Sequence, residues 1–318
     1  MEHLEDVERG TEKALELMDS NAGVVLDPEI EQDNDECTNV EIYDHPDFVF
    51  KNSADYGNEC TENNLTKSFK KIELYKEEYL EAITRSLDRE QMTVLNIGVN
   101  YAKNCVKTGS GFQIKSKPPL LIVQGGAGSG KSTVIDAMTQ HMERIFRTPG
   151  DNPNHPYILK VAFTGTAAAK IKGQTLHSAF SFNFGNNFLS LGDKNRDEKR
   201  TILGNLKAVI VDEYSMIKSD MLYQLDLRLK EIKQRHTEPF GGVAVFFFGD
   251  VLQLRPVQAR YIFDDPLCES YALAHLTDSI WKKFNVIMLI NNHRQGEDKE
   301  YANIASELVR SLKVTLKN

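Results

Sequence analysis

Leu120-Leu-Ile-Val-Gln124-Gly125-Gly-Ala-Gly-Ser-Gly130-Lys131-Ser132 is the stretch that decides the fold of this chain. Its first five residues form a short apolar run of the kind that makes a strand buried on both faces. The next eight fit the spacing G-x-x-x-x-G-K-[ST]. Beyond them Val134, Ile135, Met138, Met142, Ile145 and Phe146 recur on one face of a helix. Strand, glycine turn and helix in that order make a cradle for phosphate. Glycines let the backbone take positive φ and turn its N–H groups inward, and the helix aims its positive end at the same point. On this reading Gly125, Gly126, Ala127, Gly128, Ser129, Gly130, Lys131, Ser132 and Thr133 surround a nucleoside triphosphate. Lys131 bridges its β- and γ-phosphates and Ser132 ligates Mg²⁺.

The alternation continues outward from this stretch. Downstream, Tyr157–Phe163 reads as a strand, Thr166–Ile171 as a short Ala-rich helix, and Ala208–Val211 as a strand ending at Asp212-Glu213. Met221, Leu222, Leu225, Leu229 and Ile232 mark a helix; Val243–Phe248 and Val286–Ile290 are further strands; Ile304, Leu308 and Leu312 close on a helix. Upstream, helical spacing runs from Ser68 to Leu87 and again from Asp88 to about Lys103. Residues 180–205 read as irregular, with Gly185, Asn186, Asn187, Gly192 and a mixed-charge run from Asp193 to Arg200. Apolar strands alternating with amphipathic helices predict an α/β P-loop domain, a mostly parallel sheet between helices. Such sheets bind ligands beyond the carboxyl ends of their strands.

Acids and amides cluster at those ends. An acid closing a buried strand must be solvated, paired or on a metal. Beside a phosphate loop, Asp212 is expected in the Mg²⁺ shell and Glu213 on the attacking water. Gly249-Asp-Val-Leu-Gln253-Leu-Arg-Pro-Val257 follows the most apolar strand. There Gln253 has the neutral amide to sense a γ-phosphate, and Asp250 either caps the turn or joins the outer metal shell. Arg294, after the last strand, can stabilise charge on the transferring phosphoryl group.

Composition limits the partners. The 318 residues carry 38 Lys+Arg against 46 Asp+Glu, a net charge of −8. That charge is unevenly placed: residues 1–66 hold 19 acidic and 3 basic side chains, so the remainder is mildly basic. The first 66 residues read as a disordered acidic leader, and the rest is compatible with nucleic acid. The apolar share of 41% suits a globular core. No run reaches the ~18 residues of a membrane span. Four scattered cysteines without a C-x-x-C pair argue against a disulfide scaffold or zinc site and favour a reducing, intracellular compartment.

Taken together, these motifs resemble superfamily 1 helicases, and most closely the petite-integration-frequency (Pif-type) DNA helicases, relatives of the RecD-like group. The resemblance spans about residues 85–310. It rests on Leu87-Asp-Arg-Glu-Gln91, the phosphate loop, Thr164-Gly-Thr-Ala-Ala-Ala169, Gly173-Gln-Thr-Leu-His177-Ser178, Asp212-Glu-Tyr-Ser-Met216, Gly249–Val257 and His293-Arg294-Gln295. Tyr214 stands where that family more often has an aliphatic residue. The resemblance implies a RecA-like first motor domain over 67–318, with ATP and Mg²⁺ as cofactors and single-stranded or forked DNA as partner. It implies 5′-to-3′ translocation in replication, repair, recombination or telomere maintenance. It assigns adenine reading to Gln91, γ-phosphate sensing to Gln253 and Arg294, and DNA contact to Thr164, Thr166, Thr175 and His177. Hydroxyls and imidazole can hold phosphate oxygens without reading sequence.

By the same resemblance, 180–205 is where a small strand-separating subdomain is inserted. Phe180, Phe182, Phe184 and Phe188 either stack on bases there or form a small core. The family's second motor domain has no counterpart after Arg294, so the chain reads as a fragment, expected to be monomeric and slow in hydrolysis by itself. A nucleus or mitochondrion is the expected setting if the source is eukaryotic. Two other readings stay open: a non-motor nucleic-acid-binding module with ATP as a structural ligand, and a P-loop ATPase acting on other substrates.

Overall fold

The apolar runs become six parallel strands in the computed structural model, which describes residues 72–109, 117–152, 154–182, 187–256, 259–268, 270–271 and 278–293. They are β1 (Leu120–Gly125), β2 (Ile158–Ala162), β3 (Gln174–Thr175), β4 (Ala208–Asp212), β5 (Ala244–Gly249) and β6 (Asn285–Leu289). Their order across the sheet is β3-β2-β4-β5-β1-β6. β1 lies between two strands that come late in the chain: Leu120 pairs with Val245, and Leu121 with Asn285. β1, β2, β4 and β5 are buried at every position, as strands covered on both faces must be.

Seven helices cover the sheet among the described residues: α1 (Glu77–Ser86), α2 (Arg89–Gly109), α3 (Lys131–Phe146), α4 (Gly165–Lys170), α5 (Leu176–Phe180), α6 (Asp193–Leu203) and α7 (Ser219–Lys233). Successive strand residues point to opposite faces. Leu121, Val123, Ile210, Phe246 and Phe248 meet Val94 and Leu95 of α2 and Ile135, Met138 and Met142 of α3. Ile122, Val209, Val211, Val245 and Phe247 meet Leu222, Leu225 and Leu229 of α7, with Tyr214 and Trp281. Each fully buried side chain of this size contributes about 1.5–3 kcal/mol. None of the described helices is long and apolar enough to cross a membrane.

Three sequence expectations need correction. The helix read from Ser68 begins at Glu77. Residues 72–76, just before it, are held in non-helical form by α3: the Gln140 amide accepts from Tyr75 N at 2.8 Å and donates to Glu73 O at 2.8 Å. The helix after Asp88 runs to Gly109, beyond Lys103. The 180–205 stretch contains α6, built on the mixed-charge run itself. Asp193–Arg196 and Asp197–Arg200 pair at i,i+3, and Leu203 turns inward as the buried anchor. The acidic leader, Phe184, Gly185, Asn186, Arg294, Gln295 and the closing helix lie outside the described residues.

The aromatic cluster is a core. Phe180 and Phe182 are buried and stacked with centroids 5.8 Å apart. Phe188 packs against the same cluster beneath the Arg228 guanidinium, 4.7 Å from its ring.

Candidate functional site

Every strand of this sheet points its carboxyl end the same way, so the turns that follow β1, β4 and β5 share one rim. A cavity of about 380 Å³ opens there, lined by residues 127–133, Lys170, Asp212, Glu213, Gln253 and His293. The structure therefore brings together the expected Lys131, Ser132, Asp212, Glu213 and Gln253.

The phosphate loop takes the conformation its glycines permit. Gly128 and Gly130 have φ of 85° and 76°. The Lys131 ammonium folds back onto the loop, donating to Gly125 O at 2.5 Å and Gly126 O at 3.0 Å. Burial lowers its pKa; Asp250, Glu213 and Asp212 oppose that shift and Lys170 adds to it.

Asp212 closes β4 and is 2% exposed. Burial, and then the neighbouring Glu213 charge, raise its pKa, against the Glu213 backbone N–H, Lys170 and Lys131. Two adjacent acids held in this way favour an added cation. Glu213 follows at φ 54°, a left-handed turn that carries the chain out of the strand.

Gln91 is placed by sequence-local chemistry. Asp88 and Gln91 form a reciprocal cap at the start of α2: Gln91 N donates to Asp88 Oδ1 at 2.9 Å, and Asp88 N to Gln91 Oε1 at 3.0 Å. The Gln91 side chain then reaches the loop, donating from Nε2 to Ser129 O at 3.0 Å. It is 2% exposed and braces the loop from behind. His293 N donates to Gly128 O at 2.8 Å, tying the segment after β6 to the same loop. Its Nε2 lies 3.0 Å from Asp88 Oδ2 and 3.1 Å from Gln91 Nε2. The Nε2–H tautomer donates to the carboxylate and leaves the amide to Ser129. Burial alone would raise the Asp88 pKa, but the Gln91 N–H, Asn291 and His293 outweigh it and hold the carboxyl below its usual range.

A side chain at position 130 tests the brace. A Cβ there would lie 2.3 Å from Gln91 Nε2, on a backbone only glycine takes freely. Gly130→Ala is expected to cost about 1–2 kcal/mol of stability. It should lower affinity for a fluorescent ATP analogue at least tenfold. Unchanged affinity by titration would show that the left-handed turn does not shape the site.

The residues present fit a magnesium nucleotide. Ser129 Oγ is buried in the loop with no hydrogen-bond partner, an orphan donor beside the cradle. Ser132 and Thr133 are exposed at the first turn of α3 and line the cavity. Among the described residues no three His, Cys, Asp or Glu side chains converge on a metal position. Ser132 and Asp212 beside substrate phosphates make the sparse protein ligand set that Mg²⁺ commonly uses.

The candidate DNA residues lie on neighbouring strand ends. β2 pairs with β3 so that Ala162 is opposite Thr175. Thr164 and Thr175 each cap a short helix, accepting from Ala167 N and Ser178 N at 3.2 Å. Thr166 is exposed on the first turn of α4. His177 is half-buried, edge-on to Phe163 and Phe182, and burial followed by Lys218 lowers its pKa. Asp250 caps the turn after β5, taking Leu252 N on Oδ1 at 3.1 Å. Lys170 escaped the sequence reading. It ends an Ala-rich helix as an ordinary exposed lysine does, and only the fold brings it to Asp212.

Comparison with known proteins agrees with these motifs. A family model described as PIF1-like helicase matches residues 102–316. The chain is 33% identical over 136 residues to the ATP-dependent DNA helicase PIF1 of Saccharomyces cerevisiae, covering 42% of this chain and 15% of that protein. It is 30% identical over 210 residues to the ATP-dependent DNA helicase PIF5 of Trypanosoma brucei brucei, covering 59% and 22%. The chain thus spans less than a quarter of these relatives. Among solved structures it is similar to unliganded Pif1 from Bacteroides sp. (TM-score 0.46, 26% identity, 69% of this chain and 44% of that one). It is also similar to Pif1 helicase from Candida albicans (TM-score 0.47, 24% identity, 69% and 43%).

Proposed function

The chain belongs to the PIF1-like helicase family, and from that premise we propose that it is the ATP-binding motor part of a DNA helicase moving 5′ to 3′ on single-stranded DNA. One observation carries the reading: Lys131, Asp212, Glu213 and Gln253 arrive from three strand ends at one cavity behind a glycine loop. A cation, two acids and a neutral amide thus surround a phosphate-sized nest.

The roles follow from position. Lys131 exchanges its hold on the Gly125 and Gly126 carbonyls for the β- and γ-phosphates. The loop amides take the remaining charge, with Gln91 keeping Ser129 in place. Bound Mg²⁺, held by Ser132 and Asp212, would neutralise charge on the β- and γ-oxygens. Glu213, in the left-handed turn after β4, orients a water in line with the γ-phosphorus and takes its proton. Gln253 reports whether a γ-phosphate is present, and Arg294 is proposed as a second sensor. Thr166, His177 and the capped turns at Thr164 and Thr175 would grip the DNA backbone, with the 180–205 stretch as the strand-separating subdomain. Work in replication, repair or recombination would follow from the whole protein.

The test is phosphate release by the 318-residue chain with and without single-stranded DNA at rising salt. DNA is expected to stimulate release, and its apparent affinity should fall with a log–log slope of about −0.7 per phosphate held. Release indifferent to DNA and salt would favour an ATPase with another substrate. ATP binding without hydrolysis in every condition would favour a non-motor module.

A further inference from the structure

Three turns line the cavity, and one buried amide fastens all three from behind. Gln124, the residue before the phosphate loop, is 6% exposed. Its Oε1 accepts from Tyr214 Oη at 2.5 Å and from Val251 N at 3.1 Å, and its Nε2 donates to Asp250 Oδ1 at 2.7 Å. Tyr214 belongs to the turn after β4, directly following Glu213; Asp250 and Val251 begin the turn after β5 that carries Gln253.

We propose that Tyr214 is a positioning residue for sensing the nucleotide state: its hydroxyl, through Gln124, ties the turn after β4 that carries Glu213 to the phosphate-loop strand end and to the Gln253 turn. The inference rests on the nucleotide site proposed above and goes beyond it, since Tyr214 is buried behind the cavity and is not among the residues that line it.

The geometry is costly to build for packing alone. Tyr214 is fully buried, its ring 6.1 Å from that of Phe247 and 6.3 Å from that of Trp281. A hydroxyl at that depth needs a partner, and Gln124 supplies it. Gly249 is bare where the ring passes: a Cβ there would lie 2.8 Å from Tyr214 Cδ1 and 3.0 Å from Tyr214 N.

The linkage is continuous. Gln253 N donates to Asp250 O at 3.0 Å, and Leu252 N to Asp250 Oδ1 at 3.1 Å, so the turn moves with Asp250. Asp250 moves with Gln124, one residue from Gly125, whose carbonyl holds Lys131. A pull on Gln253 by a γ-phosphate therefore reaches Lys131 and Glu213 together. Without the hydroxyl, Oε1 keeps only Val251 N, and the turn after β4 drops out of the linkage.

The readout is the ratio of affinities for a non-hydrolysable ATP analogue and for ADP, by fluorescence titration of the full chain with Mg²⁺. Wild type is expected to prefer the ATP analogue. Tyr214→Phe, which keeps the ring, should bind ADP within about twofold of wild type while the preference shrinks at least fivefold. Gln124→Met removes the hub from the β1 side and must shrink the preference likewise, which also serves should Tyr214→Phe fold poorly. Tyr214→Leu should melt lower than Tyr214→Phe yet discriminate no worse. An undiminished preference in Tyr214→Phe and Gln124→Met overturns the inference and leaves the nucleotide site standing. A wild type that binds both nucleotides equally also overturns it alone. A wild type that binds neither overturns the site, and the inference with it.

Discussion

Glu213→Gln should leave ATP binding intact and lower DNA-stimulated phosphate release by about 10²–10⁴. Glutamine has the size of glutamate, so the left-handed turn at φ 54° and the burial of Tyr214 behind it are undisturbed. What is lost is an acceptor for the proton of the attacking water. At 1.36 kcal/mol per decade the loss corresponds to about 3–5 kcal/mol of barrier. Binding should hold or tighten slightly. Glu213 is one of the charges that raise the Asp212 pKa, so its removal lets Asp212 ionise more readily. It also removes one negative neighbour of a site meant for a polyanion. Titration with a fluorescent ATP analogue and a phosphate-release assay separate the two effects. Equal rates in variant and wild type would deny Glu213 its role as base, and a loss of binding would place it in the nucleotide cradle instead.

Arg228→Ala should cost about 3–5 kcal/mol of stability, the largest structural effect of any single change considered. Arg228 is 2% exposed and pairs with Glu231 Oε2 at 2.5 Å. It also donates to Leu189 O at 2.8 Å and Ser181 O at 3.5 Å and covers the Phe188 ring. Glu231 in turn accepts Leu191 N on Oε1 at 3.0 Å. One guanidinium thus fastens the 187–191 segment to α7. Truncating it leaves the nearly buried Glu231 carboxylate with only the Leu191 N–H and takes a donor from two carbonyls. For a domain of this size the melting temperature should fall by about 10 °C. The double variant Arg228→Met with Glu231→Leu should recover much of that, because the desolvation cost of both charges disappears. Thermal melts of the three proteins decide. A single variant within 1 kcal/mol of wild type would mean the pair is no better than a surface ion pair.

What could be read from the sequence was what local chemistry controls. The strands β1, β4 and β5 declared themselves as unbroken apolar runs, and the acids at their ends followed from the cost of burying a charge. The glycine loop carried its own geometry. The elements missed are those made by distant partners or by local signals other than apolar spacing. β3 is two residues long and exists because β2 lies beside it. α5 is five residues started by the Thr175 cap. α6 is polar throughout its first two turns, so its periodicity is one of charge rather than burial. The stretch before α1 looks helical by spacing, but Gln140, more than sixty residues away, claims its backbone. The same limit hid Lys170 and Gln124 from the site: one ends a short helix, and the other closes an apolar run where an amide draws no notice.

The strand order has a consequence for how the chain is made. β1 finds its neighbours only in β5 and β6, so Leu120 waits for Val245 and Leu121 for Asn285. At ribosomal speeds of roughly 5–20 residues per second, that wait is on the order of ten seconds. Throughout it the nascent polypeptide presents Leu120-Leu-Ile-Val123 unpaired, a segment suited to sticking edge to edge with other chains. Pairing of the P-loop strand is thus a late, non-local event, the kind of step that slows folding and leaves an apolar edge open in the meantime.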